Sequence, residues 1–343
     1  MTGVPEGLHL AALQRYFDAH VPEAVGPITA ELLHGGRSNL TYRLTDGHSA
    51  WVLRRPPLGG LTPSAHDMAR EYRVVGALRG TAVPVAPTVA LCEDTSVIGS
   101  PFSLVEYVPG EVVRSREDLA RHGGDEPARC AYGLVDVLAT LHAVPYAEVG
   151  LAGFGRPEGF LGRQIRRWYD QWRRVATREL RDIDVLHAKL DEAVPAESGA
   201  SIVHGDFRID NAIFDARDLG TVRALVDWEM ATLGDPLADL ALHLVYRDPA
   251  IEPVLGGSAA AVSERLPSTE ALAERYARVS GRYLGRLEFY LALGYFKIAV
   301  IAEGIHARHA RGLTVGQGFE TAGAAVPRLA AGGLRAMTGR EVG

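Results

Sequence analysis

Val203-His204-Gly205-Asp206-Phe207-Arg208-Ile209-Asp210-Asn211 is the stretch whose reading decides the rest of the chain. It sets an acid, Asp206, five residues before an amide, Asn211, in a short polar run, and the apolar Ala212-Ile213-Phe214 follows at once. Sixteen residues past Asn211 a second acid, Asp227, closes another apolar run that begins at Val222. A loop acid, a loop amide and an acid at a strand end are the parts a phosphoryl-transfer site needs. One acid accepts the proton of an attacking hydroxyl, while the amide and the other acid hold Mg²⁺ on nucleotide phosphates. A single Asp or Asn in a loop is usually a turn or capping residue. The joint spacing, with apolar strands on both sides, carries the functional reading.

His204-Gly205-Asp206-x4-Asn211 followed by Asp227-Trp228-Glu229 resembles the aminoglycoside phosphotransferase and choline kinase branch of the kinase-like fold. There a Gly takes the middle of the catalytic triplet, and Asp-Trp-Glu stands where protein kinases carry Asp-Phe-Gly. The resemblance implies an α+β, bilobal protein-kinase-like fold. A small N-terminal nucleotide-binding lobe is expected over residues 1–108, with a five-stranded antiparallel sheet and one helix. A larger, mainly helical catalytic and substrate-binding lobe is expected over 109–343. It further implies ATP and Mg²⁺ as cofactors, Asp206 as catalytic base, and Asn211 and Asp227 as metal ligands.

The N-terminal part supports the expectation in its local patterns. Leu8–Ala19 reads as a short amphipathic helix, closed off by Pro22 and Pro27. Strand-like runs follow at Ile28–Leu33, Leu40–Thr45, Ala50–Arg54, Thr88–Cys92 and Phe102–Val108. His34 to Asn39 joins the first two, and its glycines Gly35 and Gly36 permit a tight turn whose N–H groups can face phosphate. An ordinary hairpin turn would also explain the pair. Position favours a phosphate loop that runs from Gly35 and Gly36 through Ser38 to Asn39. Neither a Gly-x-Gly-x-x-Gly loop nor a Walker A sequence is present.

Arg54 closes the third strand where protein kinases place a lysine in Val-Ala-Ile-Lys. The only lysines are Lys189 and Lys297, so an arginine must steady the phosphates. It keeps the charge and binds phosphate bidentately, but it is longer and flatter. A solvated edge position for Arg54 and Arg55 is the plainer alternative. Pro63–Arg79 reads as a helix with Ser64 a plausible N-cap. Glu71 on it follows Arg54 by seventeen residues, which suits the kinase ion pair between strand cation and helix acid. Surface charge beside Arg70 and Arg73 would look the same. Val105-Glu106-Tyr107-Val108-Pro109-Gly110 resembles the kinase hinge, where the carbonyl of Glu106 and the N–H of Val108 meet the adenine edge.

Beyond Gly110 the pattern is helical. Glu126–His142 is apolar on one face, and Phe160–Leu190 is expected to be the longest helix, with Trp168 and Trp172 on its buried stripe. Leu233-Gly234-Asp235-Pro236-x-x-Asp239 turns into another helix, and Asp235 and Asp239 read as props for the catalytic loop. Asp248–Pro267 reads as a loop, with helices at Thr269–Tyr283, Leu287–Ala310 and Phe319–Ala331.

Composition sets limits. The 343 residues are 47% hydrophobic and 23% charged, which suits a packed core rather than disorder. A net charge of −6 gives no support for a nucleic-acid partner. Two widely spaced cysteines, Cys92 and Cys130, suit free thiols in the cytoplasm. The most apolar late stretch is interrupted by Lys297 and Glu303, so no membrane span is expected. Oligomeric state is left open.

The acceptor is expected to be a small hydroxylated molecule. Seven arginines between 163 and 181 suit an anionic one, although such a helix face is often simply solvated. The set Gly35-Gly36-x-Ser38-Asn39-x-Thr41-Tyr42 with Val52-Leu53-Arg54-Arg55-x-Pro57 resembles kinase-like domains fused to acyl-CoA dehydrogenases. That resemblance implies a hydroxyacyl-CoA acceptor. An aminoglycoside is the alternative, if Glu229, Asp235 and Glu303 line a cationic pocket. A pseudokinase that binds nucleotide without turnover is the rival from another class, supported by the missing lysine.

Overall fold

The computed structural model describes residues 5–34, 39–58, 67–255, 257–313 and 320–339. Contacts divide the chain into two compact units, one of residues 1–109 with 224–229 and one of 110–223 with 230–343.

The first unit runs through α1 (Leu10–His20), β1 (Thr29–His34), β2 (Leu40–Thr45), β3 (Ala50–Arg55), α2 (Met68–Leu78), β4 (Thr88–Cys92) and β5 (Phe102–Glu106). The strands make one antiparallel sheet in the order β1-β2-β3-β5-β4. Side chains alternate faces along a strand. On β3 that buries Trp51, Leu53 and Arg55 on one face and sets Arg54 on the other. The helix read ahead of the sheet covers the first face. Phe17 of α1 meets Trp51 edge-on with centroids 5.2 Å apart, and Leu13, Tyr42, Leu44, Phe102 and Leu104 fill the core around them.

Several boundaries differ from the sequence reading. Arg55 is not a solvated edge residue. It is 5% exposed, and its guanidinium donates to the carbonyls of Gly7, Ile98 and Pro56. α2 is capped by Asp67, whose carboxylate accepts from the N–H of Arg70 at 2.9 Å, and Ser64 lies outside the described residues. β5 ends at Glu106, although Tyr107 N–H still donates to the carbonyl of Ala50 at 3.0 Å.

The second unit contains α3 (Arg116–Ala120), α4 (Glu126–Ala143), α5 (Phe160–Val175), α6 (Arg181–Glu192), β6 (Ser201–Val203), β7 (Ala212–Asp215), β8 (Asp218–Leu225), β9 (Thr232–Gly234), α7 (Pro236–Val245), α8 (Glu252–Leu255), α9 (Thr269–Ser280), α10 (Leu287–Ala310) and α11 (Ala322–Met337). The last two residues of β8 and the turn to Glu229 count with the first unit. There Leu225 N–H donates to the carbonyl of Pro84 at 2.8 Å. β6 pairs with β9 and β7 with β8. α10 is the central helix, packed against α5, α6, α7 and α11. It is long and apolar enough to cross a membrane by length and composition alone. Two-thirds of its apolar window is buried inside the fold, as a helix surrounded by others requires.

The expected long helix over Phe160–Leu190 is two helices, and α10 with 24 residues is the longest described. The break has a cause. Fully buried Glu303 on α10 accepts from the backbone N–H and hydroxyl of Thr177 at 2.8 and 2.6 Å, and pairs with Arg178 at 2.7 Å. Those bonds hold the chain out of helical geometry between α5 and α6. The stretch 248–267 contains α8 and two short 3-10 turns rather than a plain loop. Arg247 organises it by donating to the carbonyls of Ala261, Ser263, Leu266 and Pro267. α9 stops at Ser280 because Gly281 takes the left-handed conformation at φ +67° that terminates helices.

Candidate active site

The loop after β6 carries Asp206. Gly205 adopts φ +80°, and a Cβ built there would lie 2.5 Å from the carbonyl oxygen of Met230, so both conformation and space demand glycine. Asp239, near the start of α7, accepts from the N–H groups of His204 at 2.6 Å and Gly205 at 2.9 Å. His142 sits behind it, 3.4 Å from Asp239 and 2.7 Å from the hydroxyl of Tyr276. Asp239 therefore props the loop from His204 to Asn211, as expected. Asp235 props a different segment: it caps α7 and takes bonds from Ser198 and Tyr290.

Both oxygens of Asp206 are engaged. Tyr246 donates its hydroxyl to Oδ1, and Asn211 donates Nδ2 to Oδ2 at 3.2 Å and to the Asp206 carbonyl at 2.9 Å. Arg208 lies 3.3 Å from Oδ2, also reaches Asp210, and covers the Tyr246 ring at 5.3 Å to the centroid. Burial raises the Asp206 carboxyl, but Arg208, the Tyr246 bond, Lys297 and His204 outweigh it and leave it below the usual carboxylate range. Asp206 is thus ionised at neutral pH. Because the Asn211 nitrogen is committed to Asp206, the amide oxygen is the atom with metal-ligand character.

In the first unit Arg54, Glu71, Asn39, Asp227 and Glu229 come together. Arg54 lies 3.5 Å from Glu71 and donates to Asp227 at 2.9 Å. Asn39 donates to Glu71 at 3.0 Å and Glu229 at 3.3 Å. Burial lifts the Glu71 carboxyl to about 7; Arg54 opposes this, and Asp227 and Glu229 add to it. Burial likewise opposes the charge on Arg54, but Glu71, Asp227 and Glu229 overcome it and hold the guanidinium charged. Asp227 has φ +65°, a strained conformation for a residue with a side chain, of the kind that clusters at functional sites.

Three carboxylates around one guanidinium form a set that a cation would balance. Among the described residues no three His, Cys, Asp or Glu side chains form a metal-binding group of their own. The Asp227 carboxylate is a hard oxygen donor that suits Mg²⁺, which takes one or two protein oxygens and completes its shell with phosphate and water.

Asp206 and Asn211 are joined in the second unit, and Asp227 stands with Arg54, Glu71 and Asn39 in the first. Gly35, Gly36 and Ser38 lie outside the described residues. Glu106 closes β5 with its N–H bonded to the carbonyl of Pro87 at 2.8 Å, and half-buried Val108 follows two residues later. Sequence reasoning missed Tyr246, Arg208 and the role of Lys297, whose ammonium donates to the carbonyl of Gly205. Only the placement of Arg208 within the loop, and the scarcity of lysine, pointed to any of these.

Comparison with known proteins places the chain in a family. The model of the phosphotransferase enzyme family matches residues 29–288. Acyl-CoA dehydrogenase family member 11 of Homo sapiens is 34% identical over 311 residues, covering 88% of this chain and 39% of that protein. Family member 10 of Mus musculus is 35% identical over 309 residues, covering 88% and 28%. The chain thus spans well under half the length of these relatives. A structure described as a candidate aminoglycoside phosphotransferase of Ralstonia eutropha superposes with a TM-score of 0.82 at 32% identity, covering 97% of this chain and 99% of that one. A GDP complex of aminoglycoside 2'-phosphotransferase-IIIa gives a TM-score of 0.64 at 16% identity, covering 94% and 99%, a likeness of fold.

Proposed function

The chain belongs to the phosphotransferase enzyme family, and on that premise we propose that it is an ATP- and Mg²⁺-dependent kinase acting on a hydroxyl of a small anionic molecule. The narrower reading of the acceptor is a hydroxyacyl-CoA. One observation carries the proposal: an Asp206 carboxyl group whose two oxygens are oriented by Tyr246, Asn211 and Arg208. In the reaction the acceptor oxygen bonds to the γ-phosphorus as the bond to the ADP oxygen breaks, and the hydroxyl proton passes to Asp206. A carboxylate held this low is a weak base. Its main contribution is to aim the hydroxyl, which suits a loose transition state in which the proton leaves late. Arg54, fixed by Glu71, steadies the phosphates. Asn211 and Asp227 would hold Mg²⁺, which when bound neutralises charge on the phosphate oxygens.

The acyl-CoA reading is supported by relatives that carry acyl-CoA dehydrogenase names, and by the fate of the acids that a cationic drug would need. Glu303 holds Thr177 and Arg178, Asp235 holds Ser198 and Tyr290, and Glu229 takes a bond from Asn39. Carboxylates spent on the chain's own donors make a poor polycation site. The test is ATP turnover with a 4-hydroxyacyl-CoA and with kanamycin-type drugs side by side, with the products identified. Phosphorylated thioester supports the reading. Drug phosphorylation without any thioester product would replace it, and no transfer to any acceptor would favour a nucleotide-binding module.

A further inference from the structure

Lys297 is one of two lysines in 343 residues, and it is half-buried in the middle of α10. Its ammonium donates to the carbonyl of Gly205, the residue before Asp206. It also lies over the indole of Trp168 at 5.5 Å from the ring centre. Arg167 on α5 lies against the same ring at 5.6 Å. Two cations therefore share one buried aromatic surface beside the catalytic loop. Among the described residues neither has a carboxylate at ion-pair distance. The nearby acids are already used: Asp206 by Tyr246, Asn211 and Arg208, and Asp239 by His204, Gly205 and His142.

An ammonium has three donors, and the carbonyl of Gly205 alone does not satisfy them. Holding such a group out of bulk water costs free energy; the charges of Asp206 and Asp239 offset part of that cost and Arg167 adds to it, while neither acid bonds the ammonium. A leucine or methionine would fill that space on α10 without the cost. Facing the ring of Trp168 recovers part of it, since a cation over an indole is attracted by the ring's negative face. The remaining donors point to a ligand.

We propose that Lys297, Arg167 and Trp168 form an acceptor subsite that binds a carbonyl or carboxylate oxygen a few bonds from the hydroxyl held by Asp206. The inference rests on the kinase reading above and narrows it: the acceptor is a hydroxylated acyl compound, whether as thioester or as free acid. Lys297 bonds the acyl oxygen, Arg167 supplies a second positive charge at the exposed side, and Trp168 gives the acyl chain an apolar wall. The bond from Lys297 to the carbonyl of Gly205, the residue before Asp206, sets the spacing between the acyl oxygen and the reacting hydroxyl.

The experiment is equilibrium binding, measured by calorimetry without ATP, so that it does not depend on phosphoryl transfer. The probes are a 4-hydroxyacyl-CoA, the matching free 4-hydroxy acid, and CoA alone. The proteins are the wild type, Lys297→Met, Lys297→Arg and Arg167→Ala, each checked for an unchanged thermal transition. Loss of one charge-assisted bond predicts that Lys297→Met weakens the thioester or the acid by about tenfold or more. CoA alone is expected to bind equally to all four proteins, and Lys297→Arg to recover part of the loss. A loss confined to the acid identifies a carboxylate ligand, and a loss confined to the thioester identifies an acyl carbonyl. If Lys297→Met does not fold, exposed Arg167→Ala carries the test, with a weaker loss of the same probes expected. Equal binding of acyl probes and CoA alone by the wild type, or unchanged affinity in folded Lys297→Met, overturns the subsite. Turnover of some other alcohol alongside that result would leave the kinase reading standing.

Discussion

Arg54 of β3 donates to Asp227 at 2.9 Å while its Nε lies 3.5 Å from Glu71 of α2. The guanidinium is thereby held between the acid expected to fix it and the acid expected to bind metal. Removing it strands a buried carboxylate and removes a cation from the phosphate side. Arg54→Ala should weaken ATP·Mg²⁺ binding about tenfold or more, the scale of a lost charge-assisted bond. Glu71→Ala should act in the same direction. Nucleotide titration by calorimetry checks both, and wild-type affinity in Arg54→Ala would remove Arg54 from the nucleotide site.

Tyr246 donates to Asp206 Oδ1, and its own ring is covered by Arg208. Tyr246→Phe keeps the ring and deletes that one bond. Turnover should fall by about tenfold, the value of one hydrogen bond to a charged group, with ATP affinity unchanged. Steady-state kinetics at saturating ATP separates the two parameters. Equal falls in kcat and in nucleotide affinity would mean that Tyr246 acts beyond Asp206.

Asp239 holds the N–H groups of His204 and Gly205 from a position only 2% exposed. Asp239→Ala removes the acceptor of both N–H groups and of His142 Nε2. A loss of about 3–5 kcal/mol of stability is expected, the range for breaking a buried hydrogen-bonded network. Denaturant unfolding measures it. A change under about 1 kcal/mol would show that the loop is held elsewhere.

His243 is buried with Nδ1 bonded to the carbonyl of Phe207 at 3.2 Å, and burial lowers it from 6.5 to about 4. Its folded state therefore stays neutral where an unfolded chain takes up a proton. The stability tied to this neutral ring is complete above pH 6.5 and is lost as pH falls towards 4. At about 1.4 kcal/mol per pKa unit it amounts to roughly 3 kcal/mol. His243→Leu should flatten the stability profile in that window while lowering stability at pH 8. An unchanged acid slope would assign the sensitivity to another group, such as the buried His142, which burial also lowers.

The sheet was largely legible because alternating strands of five or six residues leave a strong pattern, and the β2 boundaries match the expected Leu40–Thr45. The loop from His204 to Asn211 was legible because its chemistry is local in sequence. What was not legible depends on partners far along the chain. Glu303 breaks the expected 160–190 helix from 126 positions past Thr177. Asn39 was read through its backbone, yet its side chain bridges to Glu229, 190 positions away. Arg55 read as an edge charge because two of its carbonyl partners, Gly7 and Ile98, lie more than forty positions away in segments that no periodicity connects. Tyr246 lies forty positions past Asp206 at the C-terminal cap of α7, where the pattern shows only that it is buried.

The central claim is that Asp206 orients the acceptor hydroxyl while Asp227 serves the metal-bound nucleotide. It is tested most directly by transfer of labelled γ-phosphate from ATP to a 4-hydroxyacyl-CoA, with ATP·Mg²⁺ affinity measured on the same preparations. Asp206→Asn should lose about a hundredfold or more of its turnover, the scale of general acid–base contributions, and bind nucleotide as the wild type does. Asp227→Ala should lose affinity for ATP·Mg²⁺ itself. Near-normal transfer by both variants would contradict the account.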